Sequence, residues 1–309
     1  MQKISPCLWF DMNCEEAINF YVSTFKNSRI TSIQRYPTDM QVGPVPNMGG
    51  KIITAMFELD GYAFIALDGG PMFKLNPSVS MMVNFDPSLD PNASANLDAM
   101  WAKLSEGGKV LMEVGEYPFS KRYGWVQDRF GMSWQLILTK PEGEPRPSII
   151  PSMMFIGENA GKAEEALKRY VSIFKDSKMG NVARRPTDQG PDKEGTALFA
   201  EAMLAGQWFA AMDSAYKHEF AFNEAVSFTV DCADQAEVDY FWDKLTADGG
   251  EESQCGWLKD KYGMSWQIVP KRLGELLTDP DKGRAERAMK AMLGMKKIIV
   301  ADLEKAAQG

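Results

Sequence analysis

The chain has 309 residues but a single histidine, His218, and only four cysteines, none of them in a C-x-x-C pair. A disulfide framework or a zinc site built on thiolates and imidazoles needs more than this, and widely spaced cysteines suit reduced thiols in the cytosol. No apolar run approaches the roughly 20 residues that a bilayer span requires. The opening stretch "MQKISPCLWFDMNCEEA" has neither the apolar core nor the small-residue cleavage site of a secretory leader. The expectation is a cytoplasmic protein with no membrane partner. A basic excess is missing as well. Lysine and arginine total 34 against 42 acidic residues, a net charge of −8, which excludes a nucleic-acid backbone as the natural partner.

What is present is ordinary globular composition, 45% hydrophobic and 25% charged, over a length that suits two domains. One stretch occurs almost twice. "GWVQDRFGMSWQLI" (Gly124 to Ile137) returns as "GWLKDKYGMSWQIV" (Gly256 to Val269), identical at eight of fourteen positions. Upstream, "AINFYVSTFKNSRI" (Ala17 to Ile30) returns as "ALKRYVSIFKDSKM" (Ala166 to Met179), with seven of fourteen identical, and "RYPTD" at Arg35 returns as "RRPTD" at Arg184. The echoes keep their order, so the chain is a tandem duplication. The Pro-rich, charged "KPEGEPRPS" (Lys140 to Ser148) lies between the copies as a linker should.

Each copy reads in the same way. Ile4 to Phe10 is a short apolar strand. Asn13 with Glu16 predicts a capping box, after which Ala17, Ile18, Tyr21 and Phe25 recur at helical spacing. Strands are expected over Arg29–Tyr36, Lys51–Leu59 and Tyr62–Leu67, the last two joined by the hairpin signal Asp60-Gly61. Val79–Phe85 leads into a second helix with Leu97, Met100, Trp101 and Leu104 on one face, ending at Gly107-Gly108. Three more short strands close the copy. The second copy is cut short: 17 positions separate Gly108 from Trp125, but only 7 separate Gly250 from Trp257. After Lys271, "AERAMKAMLGMKKIIVADLEKAA" predicts an amphipathic helix by the spacing of Met289, Met292 and Leu293, read as a clamp on the two halves.

Within the repeated stretch, Asp128 and Gly131, and again Asp260 and Gly263, have the spacing of a tight turn. Trp125 and Trp134 then fall on flanking strands, where aromatic residues pack well. Gln135 alternates with Trp134 and so points the other way, where a buried polar side chain needs a reason.

The segments "CLWFDMNCEEAINFYVSTF", "ALDGGP" and "SKRYGWVQDRFGMSWQLI" resemble the PhnB-like branch of the glyoxalase/bleomycin-resistance/extradiol-dioxygenase (vicinal oxygen chelate) superfamily, once per half, and the C-terminal segment resembles that branch too. The resemblance implies an α+β fold of two tandem glyoxalase-like domains, residues 1–140 and 151–272. Each would be a pair of βαβββ modules with curved mixed sheets around a ligand cleft, with a linker at 141–150 and a helical tail at 273–309. Members of this branch often carry a 3-demethylubiquinone-9 3-methyltransferase label. No glycine-rich turn here follows a strand and opens a helix, so nothing in the sequence supports such a cofactor site.

Catalytic members of the superfamily hold a divalent metal with His, Glu or Gln from the sheets. Mapped onto this chain, the ligand places fall on Pro6, on Ser80 and Ala225, and on Gln135 and Gln267, with Asp68 and Asp213 nearest in the fourth strand. Such a set does not make a metal site, so the reading is a metal-free cleft without a cofactor, mainly in the first half. Its expected ligand-binding lining is Trp9, Arg35, Tyr36, Tyr117, Ser120, Lys121, Tyr123 and Trp125. Asp68, Arg122 and Gln135 are the candidates for chemistry. Arg35 and Arg122 offer a clamp for a carboxylate or phosphate, while Asp68 reads either as a base or as the partner of one of these arginines. Three functions stay open: sequestration of a small molecule, as in bleomycin-resistance relatives; a lyase, isomerase or oxygenase acting on a small carbonyl or oxygen-rich substrate; and a scaffold whose clefts hold its own side chains. The duplication implies an intramolecular pseudo-dimer, with homodimerisation left open.

Overall fold

The computed structural model describes residues 2–36, 48–140 and 144–309. Pro37 to Asp39 of the "RYPTD" echo, and part of the linker, lie outside the described residues. Sixteen strands are described, in two eight-stranded mixed sheets. The chain runs through four modules of one pattern. Module one is β1 (Ile4–Phe10), α1 (Cys14–Thr24), β2 (Arg29–Arg35), β3 (Ile52–Leu59) and β4 (Tyr62–Asp68). Module two is β5 (Val79–Phe85), α2 (Ala93–Ser105), β6 (Lys109–Tyr117), β7 (Ser120–Gln127) and β8 (Ser133–Leu138). Module three is β9 (Ile149–Ile156), α3 (Ala163–Ile173), β10 (Lys178–Arg184), β11 (Ala197–Leu204) and β12 (Gln207–Ser214). Module four is β13 (Val226–Cys232), α4 (Gln235–Thr246), β14 (Glu251–Glu252), β15 (Trp257–Lys259) and β16 (Ser265–Pro270). Helices α5 (Lys271–Leu277), α6 (Lys282–Leu293) and α7 (Val300–Gln308) follow.

Strand pairing crosses the sequence halves. In the larger compact unit, Cys7–Ala221, modules two and three share one sheet of order β10-β11-β12-β9-β5-β8-β7-β6. The seam is antiparallel β5–β9, with Ser80 opposite Ser152 and Met82 opposite Ile150. The chain leaves β8 at Leu138 and re-enters a strand at Ile149, and a connection of that length favours a neighbouring strand edge.

Helix α1 of module one packs on module two within this unit. Tyr21 and Phe25 meet the fully buried Trp134 with ring centroids 5.4 and 5.1 Å away. Burying an aromatic side chain of this size contributes about 2–3 kcal/mol. The start of α1 is capped differently from the sequence expectation. Asn13 makes no side-chain cap bond; instead the buried Asp68, at the end of β4, accepts the Cys14 N–H at 2.9 Å and the Ile52 N–H at 3.3 Å. A carboxylate from the sheet reaches the exposed helix amide better than the local side chain does. Module three repeats the device: Asp213 accepts from Gly161, Ala163 and Ala197 N–H at 2.8, 3.0 and 2.9 Å.

The smaller unit joins Met1–Pro6 with Phe222–Gly309. The Asp231 N–H donates to the Lys3 carbonyl at 3.0 Å, and Lys3 pairs with Glu237 at 2.6 Å. The tail is not the single helix expected. It breaks after Gly294, and α5, α6 and α7 pack around Leu273, Leu276, Ala288, Ile298, Leu303 and Ala307 as a core of their own. Its connecting segment takes up the backbone that the shortened module four leaves bare. Met295 and Lys296 carbonyls accept from Cys255 and Gly256 N–H at 2.7 and 2.8 Å.

Candidate functional site

The repeated stretch builds the same buried hub twice. Asp128 Oδ1 accepts from Phe130 and Met132 N–H at 2.8 and 3.0 Å, and its Oδ2 accepts the Trp134 indole N–H at 2.8 Å. Asp260 does the same for Tyr262, Met264 and Trp266 at 2.9, 3.1 and 2.9 Å. Gly131 closes the turn on the Asp128 carbonyl at 2.9 Å with φ of 94°, a conformation that glycine adopts freely. Burial pushes the Asp128 carboxyl up against the pull of these donors. Three groups therefore fix the hairpin through one carboxylate.

Gly124 marks which face of β7 meets α2, since a Cβ there would lie 2.5 Å from the Trp101 ring. Alternation turns Tyr123 and Trp125 to the opposite face, with Gln135 beside Trp125 in register. A buried chain of hydrogen bonds runs across that face. The Tyr123 hydroxyl donates to Gln135 Oε1 at 2.7 Å, and Gln135 Nε2 donates to Ser80 Oγ at 2.6 Å. Burial raises the Tyr123 phenol well above its usual range, so it keeps its proton and acts as donor. Trp125 donates to Ser133 Oγ at 2.7 Å. Across the seam, Ser152 is 1% exposed and its hydroxyl has no partner. In module four, Gln267 donates to Ser227 Oγ at 2.9 Å. Register makes Ser227 the equivalent of Ser80, because each lies opposite the serine that opens its neighbouring strand, Ser265 or Ser133. The fifth-strand place expected at Ala225 therefore shifts by two residues.

The remaining candidates scatter. Tyr117 stacks with Phe119 and meets Tyr123 edge-on, ring centroids 5.7 and 5.5 Å apart, so Tyr117, Tyr123, Trp125 and Gln135 do share one region. Ser120 is tied to the Arg122 and Leu138 carbonyls at 2.8 and 2.7 Å, and Lys121 is exposed. Arg122 turns to the α2 side, its Nε 2.7 Å from Asp98. Arg35 pairs with Glu15 at 2.6 Å. Tyr36 follows it, half-buried, with its phenol raised by burial and then by Asp68. Trp9 donates to the Gly70 carbonyl at 2.8 Å. Asp68 is raised by burial, and its oxygens are engaged by backbone amides rather than by either arginine. His218 lies 2.8 Å from Ser214 Oγ.

The donor set does not fit the metal that the fold family implies. The strand positions that converge beside Gln135 are Ser80, Ser133 and Ser152, neutral hydroxyls, and the Gln135 carbonyl is already engaged by Tyr123. Among the described residues no group of three or more His, Cys, Asp or Glu side chains could hold a metal ion.

The same face carries an apolar cluster of Met82, Ile150, Trp208 and Ala210, all buried, against which Ile137, Phe199 and Met203 pack. Open space lies beside it. A cavity of about 730 Å³ in the larger unit is bounded by Phe25, Val83 and Asn84, by Met100 of α2, and by Arg146 and Glu201. None of the residues expected from sequence lines it. Glu201 had a sequence signal of its own, a lone acid in the apolar strand "ALFAEAML". Arg146, in the linker, had none.

Comparison with known proteins places these features. The family model described as 3-demethylubiquinone-9 3-methyltransferase matches residues 2–137 and again 147–269. No curated protein matches. Among solved structures, the chain is similar to a putative 3-demethylubiquinone-9 3-methyltransferase, PhnB protein, from Bacillus cereus, with 38% identity over 45% of this chain and 100% of that one and a TM-score of 0.39. It is similar to protein PA1353 from Pseudomonas aeruginosa, with 25% identity, 45% and 98% coverage and a TM-score of 0.37. Glyoxalase I from Zea mays shares the fold, with 13% identity, 90% and 98% coverage and a TM-score of 0.52. With two successive model matches that together span most of its length, the chain belongs to the family described as 3-demethylubiquinone-9 3-methyltransferase, the PhnB-like branch of the glyoxalase superfamily.

Proposed function

We propose that the protein binds a small organic molecule, and that it does so in the cavity beside α2. The observation that carries this reading is the cavity itself: about 730 Å³, within the range of small-molecule sites, with a lining in which polar and charged side chains such as Asp86, Lys103 and Glu144 outnumber the apolar ones. Phe25, Val83 and Met100 offer apolar surface, while Asn84 and Glu201 supply directional contacts. The strand face is less suited to this, because Met82, Ile150 and Trp208 already fill much of it. Pairing of modules two and three inside one chain is in keeping with an intramolecular pseudo-dimer.

The methyl transfer named in the family description is not part of this reading. The glycine-bearing turn between β9 and α3, Gly157 to Gly161, directs its Gly161 N–H at the protein's own Asp213, which leaves that amide no role in holding a nucleotide. A second reading rests on the unpartnered Ser152 hydroxyl next to Ser80 and Gln135: an oxygen-rich ligand or a bridging water would complete that polar cluster.

The test is native mass spectrometry of gently purified protein, wild type against Ala99→Trp. Ala99 lines the cavity from an exposed position on α2, so the indole fills the space at little cost to the fold. An organic adduct on the wild type that is lost from the variant supports the cavity. An adduct retained equally by both, or none on either in a screen of small-molecule mixtures, overturns it.

A further inference from the structure

The edge of the cavity holds a slot built for a cation, and in this structure the occupant is the protein's own linker. The Arg146 guanidinium carbon lies 3.6 Å from the centroid of the Trp208 ring. Its Nε and Nη2 donate to the two Glu201 oxygens at 3.1 and 2.5 Å, and Nη1 donates to the Glu144 carbonyl at 2.7 Å. Glu201 and Trp208 are each 5% exposed. A buried carboxylate facing an indole is expensive without a cation, and a guanidinium satisfies both the ring and the acid at once.

The duplication shows that this slot is an addition to the module and no part of its frame. In module three Met203 lies opposite Trp208, and Glu201 opposite Ala210. The same register in module one puts Glu58 opposite Ala63, and Met56 opposite Ile65. Trp208 thus corresponds to Ala63 and Glu201 to Met56, which stands 49% exposed with no cage around it. Counting from the paired starts of β10 and β2, Lys178 and Arg29, Gly180 corresponds to Thr31. That glycine is required, since a Cβ there would meet Trp208 at 2.7 Å and Glu201 at 2.8 Å. Ring, acid and glycine differ together from a module that folds without any of them.

We propose that Trp208 and Glu201 recognise the cationic group of a ligand, a guanidinium or alkylammonium, and that Arg146 is the built-in competitor that must withdraw to admit it. The proposal rests on the cavity being a ligand site and names its ligand class. A neutral ligand that displaces Arg146 leaves the buried Glu201 charge with no cation, held only by the Asn181 N–H at 3.2 Å. A cationic one replaces the ring contact and the ion pair together, so the exchange itself selects for positive charge.

The test uses the full chain with Arg146→Ala, with methylguanidinium as probe and N-methylurea as its neutral counterpart. Arg146→Gln, which keeps part of the stem over Trp208, carries the same titration should the alanine variant fold poorly. Saturable binding of methylguanidinium by calorimetry, at least tenfold tighter in the variant than in the wild type, absent for methylurea and abolished by adding Glu201→Gln, is the expected result. Equal binding by wild type and variant, or none by either, overturns the proposal. An adduct excluded by Ala99→Trp together with no methylguanidinium binding by the Arg146 variants sinks the cation slot and leaves the cavity standing. Methylguanidinium binding without any cavity adduct sinks the cavity as the ligand's home.

Discussion

Asp128→Asn is the sharpest probe of the repeated hub. The substitution keeps the volume, and the amide oxygen still accepts from the Phe130 and Met132 N–H groups at the 2.8 and 3.0 Å positions. The new amide nitrogen then faces the Trp134 indole N–H where Oδ2 stood at 2.8 Å, and two donors meet in a dry place. Losing a charge-assisted bond and stranding a buried donor costs about 3 kcal/mol when the overlap between the two is counted once. Removing the charge also removes the desolvation that pushes this carboxyl up, which offsets part of that cost. A net loss on the order of 2 kcal/mol follows. Urea unfolding monitored by tryptophan fluorescence and far-ultraviolet dichroism measures it, with Asp260→Asn as the twin in the smaller unit. The pH dependence has a definite sign. A carboxyl raised in the folded state binds its proton more tightly there than in the unfolded chain, so the wild type gains stability relative to the variant as pH falls through the raised folded value towards the ordinary unfolded one. A variant within about 0.5 kcal/mol of wild type, or a difference that shrinks on acidification, refutes the hub reading.

Gly124→Ala should cost about 1–3 kcal/mol by overpacking, since its Cβ would lie 2.5 Å from Trp101; pairing it with Trp101→Leu should recover much of that loss in a double-mutant cycle. Asp213→Ala strands three backbone N–H groups and Asp68→Ala two, so both should destabilise by about 1–4 kcal/mol, with Asp213 the larger, in the same urea assay. Native thiol labelling should begin at Cys255, which is half-buried. Burial pushes Cys232 up to about 12 and Cys14 higher still, so these two should react only on the timescale of unfolding, and every rate should rise with pH as thiolate forms.

The local architecture was legible because it is written in short-range chemistry. Ile4–Phe10 and Val79–Phe85 match the observed β1 and β5, since apolar runs bounded by turn residues leave little choice. Asp128 and Gly131 form the turn that their spacing announces. The cap on α1 was not legible: Asn13 carries the right side chain, but Asp68, 54 residues beyond Cys14, holds the Cys14 amide. Long-range pairing is equally silent in sequence. Nothing in "KPEGEPRPS" says that β9 will join β5 of the preceding module, or that Arg146 will lie on Trp208.

The duplication itself turns this difference into a rule for where function lies. What both copies keep is what any such module needs in order to fold: the Asp–indole hub, the turn glycine and the Ser–Gln hydrogen bond, present as Ser80–Gln135 and as Ser227–Gln267. The recurrence of Ser–Gln in a module with a shortened hairpin argues for a brace across neighbouring strands as its first role. What one copy has and the other lacks is released from that demand. Trp208, Glu201 and Gly180 against Ala63, Met56 and Thr31 is such a set, and its members touch one another. The repeated motif draws the eye in the sequence because it repeats, and for the same reason it is the poorer guide to the ligand. The unrepeated acid in an apolar strand, unremarkable on a first reading, sits where the chain has room to bind something.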